Sequence, residues 1–269
     1  MKYRGFAQSA FTAMIAAVLS LPLSLAAQQQ TRYKAVDMGT FGGSQSYFNF
    51  SAQNLNSHGM VAGSADTTTP DPNFPNFGAC FNPDCLFSHG FQSQNGAAPT
   101  DLGTLPGGGL SSASWISDSG LIVGASQNGV TDPLTGGSEF RAVAWSNGQI
   151  SNLGTLGGNE SFAFAANSAN QIVGPAANTV PDQFSMFGFG SQTRAFLWQN
   201  GKMQDLGTLG GPDAFAVGIN EVGQVTGCSF INDTPNASSG IPTVHPFLWT
   251  NGKMLDLGTV GVPTPAPTS

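Results

Sequence analysis

Three histidines, a recurring set of aspartates, three cysteines and a scatter of loop phenylalanines are the side chains here whose types could do chemistry. His58, His89 and His245 are the candidates for metal ligation or general acid–base work, and Asp37, Asp101, Asp205 and Asp256 for a carboxylate pair of the glycosidase kind. Asp66, Asp71 and Asn73 share one segment and would suit a calcium ion. Spacing argues against most of this. His89 and His245 fall at one repeat position where other copies carry Arg141 and Arg194, and a position that accepts His or Arg is expected to be framework. The aspartates keep the same period, with Asn152 taking the place once, which fits hydrogen bonds to turn amides. His58 falls inside a turn and is expected to be exposed. There is no nucleophile elbow, phosphate-binding glycine loop, zinc spacing or full calcium loop, so no catalytic residue, metal site or cofactor is expected.

The period is what positions these groups. Asp205-Leu206-Gly207-Thr208-Leu209-Gly210-Gly211 has counterparts starting at Asp37, Asp101, Asn152 and Asp256. Their central glycines are Gly39, Gly103, Gly154, Gly207 and Gly258, at intervals of 64, 51, 53 and 51. A second motif, Ile219-Asn220-Glu221-Val222-Gly223-Gln224-Val225-Thr226-Gly227, recurs from Leu55, Ile116 and Asn167. A third, Arg194-Ala195-Phe196-Leu197-Trp198-Gln199-Asn200-Gly201-Lys202-Met203, recurs from Arg141 and His245, and in a degenerate copy without the Trp from His89.

Each motif reads as β structure. Asn-Gly after Phe-Leu-Trp predicts a two-residue hairpin, because both central residues must take positive φ. It folds strand c (Ala195 to Trp198) back on strand d (Lys202 to Leu206). The Asn-x-x-Gly segment turns strand a (Phe215 to Ile219) into strand b (Gln224 to Gly227), and the double glycine carries the chain onward. Four strands per unit of about 50 residues, none longer than about eight, suggest a propeller blade, and such a unit must stack on neighbours to bury its apolar faces. The units are expected over 37–100, 101–151, 152–204 and 205–258, inside a repeat domain spanning 28–261. Tyr33 to Met38 reads as a spare d-type strand. The expectation is therefore an all-β, propeller-like array: four blades plus an extra N-terminal strand, or an incomplete five-bladed ring.

These motifs resemble the bacterial extracellular repeat proteins of the HAF family, named for a His-Ala-Phe tripeptide that appears here as His89-Gly90-Phe91, Arg141-Ala142-Val143, Arg194-Ala195-Phe196 and His245-Pro246-Phe247. The resemblance covers about Tyr33 to Gly261 and implies an exported repeat protein, with no activity to carry over. The double glycines and aromatic positions are also similar to those of Kelch blades.

Residues 1–27 carry Lys2 and Arg4, then an uncharged apolar stretch from Phe11 to Leu25 and small residues at Ser24 to Ala27, the layout of a secretory signal peptide. The chain is thus expected outside the cytoplasm, secreted or periplasmic, with no membrane span after cleavage. Cys80 and Cys85, in one loop, then suggest a local disulfide, with Cys228 left over and able in principle to bridge to either. Charged residues are 9% of the chain, against about 25% usually. The formal charge of −7 becomes −9 once Lys2 and Arg4 are gone, which disfavours nucleic acid and anionic membranes as partners. Residues 262–269 form a Pro/Thr-rich tail.

Unit lengths differ between strands b and c, over 64–88, 125–140, 175–193 and 228–244, so these loops are expected on one face. They carry Phe74, Phe77, Phe81, Phe184, Phe187, Phe189 and Phe230, which suggests a non-catalytic surface for a glycan or an extracellular protein. Two alternatives stay open: a secreted enzyme acting on polysaccharide, and a passive cell-surface structural repeat. If these rings instead pin their own loops, no binding surface follows from them.

Overall fold

The computed structural model describes residues 34–49, 53–76 and 80–259; the leader, Tyr33, Phe77 and the Pro/Thr tail lie outside the described residues. The repeat region forms one compact unit from Asp37 onward. The chain is all-β, with no helix among the described residues: four antiparallel four-stranded sheets follow one another in tandem. The first contains β1 (Gly42–Tyr47), β2 (Met60–Pro70), β3 (Leu86–Gln94) and β4 (Thr100–Asp101). The second contains β5 (Ser111–Ile116), β6 (Ile122–Thr131), β7 (Ser138–Ser146) and β8 (Gln149–Asn152). The third contains β9 (Ala165–Ala166), β10 (Ile172–Pro181), β11 (Ser191–Gln199) and β12 (Lys202–Asp205), and the fourth β13 (Ala214–Ile219), β14 (Val225–Pro235), β15 (Pro242–Thr250) and β16 (Lys253–Asp256). In every sheet the strands pair in chain order, a to d.

The turn chemistry explains the hairpins. Asn147-Gly148 has φ of 52° and 72°, and Asn95-Gly96, Asn200-Gly201 and Asn251-Gly252 repeat it, as a primed two-residue turn requires. The glycine closing the second motif has another role. A side chain at Gly124 would strike the Ser112 carbonyl oxygen of strand a, and Gly63, Gly174 and Gly227 sit similarly close to the carbonyls of Tyr47, Phe162 and Phe215.

Three apolar cores, with a smaller cluster of Leu110, Ala125 and Phe140 against Phe87 and Phe162, hold the four sheets. Ala62 of the first sheet packs with Ala113, Ile122, Val143 and Trp145 of the second. Val123, Ala144 and Leu153 of the second pack with Ala163, Ile172 and Phe196 of the third. Val173, Leu197 and Leu206 of the third pack with Ala216, Val225 and Phe247 of the fourth. Among the described residues no core joins the fourth sheet to the first, so the sheets do not close into a ring.

Two details differ from the sequence reading. Residues 34–38 form no strand, so the spare d-type strand is not present over its described part. Strands b and c run further than expected: β2 and β14 have 11 residues each, so much of the b–c insertions is a hairpin arm. The arms persist because ladder pairs recur past a bulge, as at Pro70↔Leu86 and Pro181↔Ser191.

Candidate functional site

The polar residues that keep the period are tied into the sheets. Asp101 accepts the Gly103 amide (2.7 Å) and pairs with His89 (2.8 Å); Asp256 accepts Gly258 N (2.7 Å) and pairs with His245 (2.9 Å). Asp205 does the same with Gly207 N and Arg194. Where Asn152 replaces the aspartate, Arg141 turns to Glu139 at 2.7 Å. The Gly258 amide and His245 hold Asp256 below the usual carboxylate range. His58 lies in the turn after β1, on the surface.

A second set of carboxyls, not picked out from the sequence, lies at the sheet junctions. Glu160 and Asp213 follow the double glycine in the third and fourth units and reach back to strand c of the preceding sheet. Glu160 accepts Phe140 N (2.7 Å); Asp213 accepts Thr193 N (2.9 Å) and Met186 N (2.6 Å). Burial pushes both up to about 7, helped at Asp213 by the neighbouring Asp182 carboxyl and at Glu160 by Asp132. Asp182 Oδ2 is buried with no hydrogen-bond donor. The Asp182–Asp213 and Asp132–Glu160 pairs occupy equivalent junctions, and each of the four carboxyls accepts at least one backbone amide. Asp66, buried in β2 beside Asp84, is likewise pushed up to about 7, by burial first. Asp71 accepts Asn73 N and Phe81 N at the start of its loop. Among the described residues no group of three or more His, Cys, Asp or Glu is placed to hold a metal ion.

The loop tips begin at Asp71, Asp132, Asp182 and Asn236, each accepting the amide two residues on. Cys80 and Cys85 are joined in a disulfide that closes the first tip, Cα atoms 5.2 Å apart; Cys228 is free. Across these tips and the strands beneath them runs a ladder of rings. Phe81 meets Phe140 at 5.3 Å, Phe140 stacks on Phe162 at 5.4 Å, and Phe162 on Phe189 at 6.0 Å. Phe187 then joins Phe189 to Phe215, 5.6 and 5.2 Å from them.

The phenylalanines singled out from the sequence divide by exposure. Phe74 and Phe81 are 55% exposed and Phe187 36%. Phe184 is half-buried. Phe189 (6%) and Phe230 (2%) are buried, the Phe189 ring stacked on Phe162. Phe140 and Phe162 were missed; the visible signal was Phe162 and Phe215 recurring four residues after the double glycines. Two cavities open on this face. One, of about 560 Å³, lies between the first two tips, with Phe81, Phe87 and Phe140 beside Asp71, Gln127 and Ser138. The other, of about 600 Å³, lies between the third and fourth, with Phe184, Asp182, Gln192 and Asp233. Both have the size of small-ligand sites and combine apolar rings with hydrogen-bonding groups. No protein-family model and no curated protein matches this chain.

Proposed function

We propose that the chain is a secreted, non-catalytic binding module of the HAF extracellular-repeat type, a propeller-like array whose b–c loop face takes a neutral, hydroxyl-rich glycan. The observation that carries this reading is the exposed Phe81 ring over the cavity of about 560 Å³, opposite hydroxyl, amide and carboxylate groups. An exposed ring gives a sugar an apolar platform, and the polar wall can bond its hydroxyls. The acidic chain, −7 formally, argues against polyanions. Catalysis is disfavoured because the paired carboxyls occupy two equivalent junctions and bond backbone amides.

The test is a glycan array followed by calorimetry on the best neutral oligosaccharide, with Phe81→Ala and a shortened 182–190 tip as comparators. Binding that falls at least tenfold in Phe81→Ala, with an unchanged melting temperature, supports the reading. Binding unchanged in both variants, or capture only of a protein partner, overturns it.

A further inference from the structure

Among the described residues the fourth sheet is the last of the stack, with a face that the preceding sheets bury. Leu257 is 58% exposed, whereas its repeat counterparts Leu153 and Leu206 are 5% and 6% exposed beneath the next sheet. Leu255, on the same face, is 46% exposed. Beside them is a hollow of about 260 Å³ bounded by Gly218, Ile219, Asn220, Gln224, Thr226 and Leu248. Its origin is a size change: Gly218 pairs with Thr226 where the second sheet pairs Trp115 with Val123.

The first sheet shows the opposite change on its opposite face. Gly63, Gly124, Gly174 and Gly227 approach the carbonyls of Tyr47, Ser112, Phe162 and Phe215, so the next residues, Phe48, Ala113, Ala163 and Ala216, are equivalent. The three alanines are 0% exposed at junctions with the preceding sheet, whereas Phe48 is 45% exposed. Leu55, the counterpart of fully buried Ile116, is 60% exposed.

We propose that a second copy of this chain docks its first sheet on the fourth sheet, head to tail, continuing the three internal sheet-on-sheet interfaces. The bulk missing at Gly218 is the bulk added at Phe48, so the ring of one copy enters the hollow of the other. The polar contacts continue as well. Asn56 and Asn167 donate to the Ser117 and Asn220 carbonyls of the following sheet at 3.2 and 3.0 Å. Asn167 and Asn220 also donate to Gln171 and Gln224. Asn220 keeps its second amide hydrogen for the Asn56 carbonyl of the arriving copy. A contact of this kind joins unlike faces, so it closes into a ring of copies or runs on; in either case the mass exceeds one chain. This inference does not depend on any glycan.

Light scattering and sedimentation velocity on the purified chain between about 1 and 200 µM test it. The expected result is a mass of two or more chains that falls on dilution. Leu257→Asp, Phe48→Ala and Gly218→Trp should each weaken association at least tenfold. The Phe48→Ala/Gly218→Trp double variant should restore it to within threefold, because it recreates the pairing of Trp115 with Ala163. Circular dichroism and melting of each variant check its fold, and Leu255→Asp, at an already exposed side chain, replaces any variant that fails to fold. A single-chain mass throughout, including that of a chain closed on itself, overturns the proposal. So does a double variant no better than its parents.

Discussion

Replacing Glu160 with glutamine separates the burial of this side chain from its charge. The carboxyl is 6% exposed, accepts Phe140 N at 2.7 Å and is pushed from 4.5 up to about 7 by burial, with Asp132 and Glu139 adding to the effect and Arg141 opposing it. The folded chain thus holds this proton to higher pH than the unfolded chain does. Its stabilising contribution is whole below about pH 4.5, declines as the pH climbs towards 7, and is lost above. At about 1.4 kcal/mol per pH unit, the span is worth about 3 kcal/mol. The substituted amide keeps an acceptor for Phe140 N and never ionises. Glu160→Gln should therefore match the parent within about 1 kcal/mol near pH 4.5 and exceed it by roughly 3 kcal/mol at pH 8, or roughly 6–12 °C for a chain of this size. Urea and thermal melts at half-unit pH steps read this out. A difference between variant and parent that stays constant from pH 4.5 to 8 would refute the reasoning.

Gly124→Ala drives a methyl into the Ser112 carbonyl and should cost about 2–3 kcal/mol by urea denaturation; a loss under about 0.5 kcal/mol would mean the strands part without strain. Cys80→Ser with Cys85→Ser opens a loop with a sequence separation of only 5, so the loss should be at most about 2 kcal/mol, read from the melting temperature against the disulfide-bonded parent. His245→Ala removes the ring that hydrogen-bonds the exposed Asp256 carboxylate and should leave the melting temperature almost unchanged. A drop of many degrees there would give that histidine a larger role than framing.

The repeat made the strands legible, because Asn200-Gly201 and Gly223 carry turn chemistry in their own residue types and recur in phase. Length was misjudged where the cue is absent: β10 runs to Pro181 through Asn178-Thr179-Val180, which bulge out of the ladder before Pro181 rejoins β11 at Ser191. The disulfide between Cys80 and Cys85 was legible from the loop that the two residues share. The junction carboxyls were not, since Glu160 and Asp213 differ in type, while the equivalent first and second units carry neither. Their function depends on a neighbouring sheet that no local window contains. Loop phenylalanines looked alike in sequence, yet Phe81 and Phe230 differ from 55% to 2% exposed, because Phe81 sits on a loop tip whereas Phe230 lies within β14, opposite Val244 of β15.

Trp115 packs against both the core between the second and third sheets and the core between the third and fourth. One indole thereby spans two joints, so loosening either one disturbs the other. Sheets two to four should melt and exchange their amide hydrogens as a single block. The first sheet, with Ser93 at the Trp register and one joint to its neighbour, becomes the place where fraying and protease attack begin.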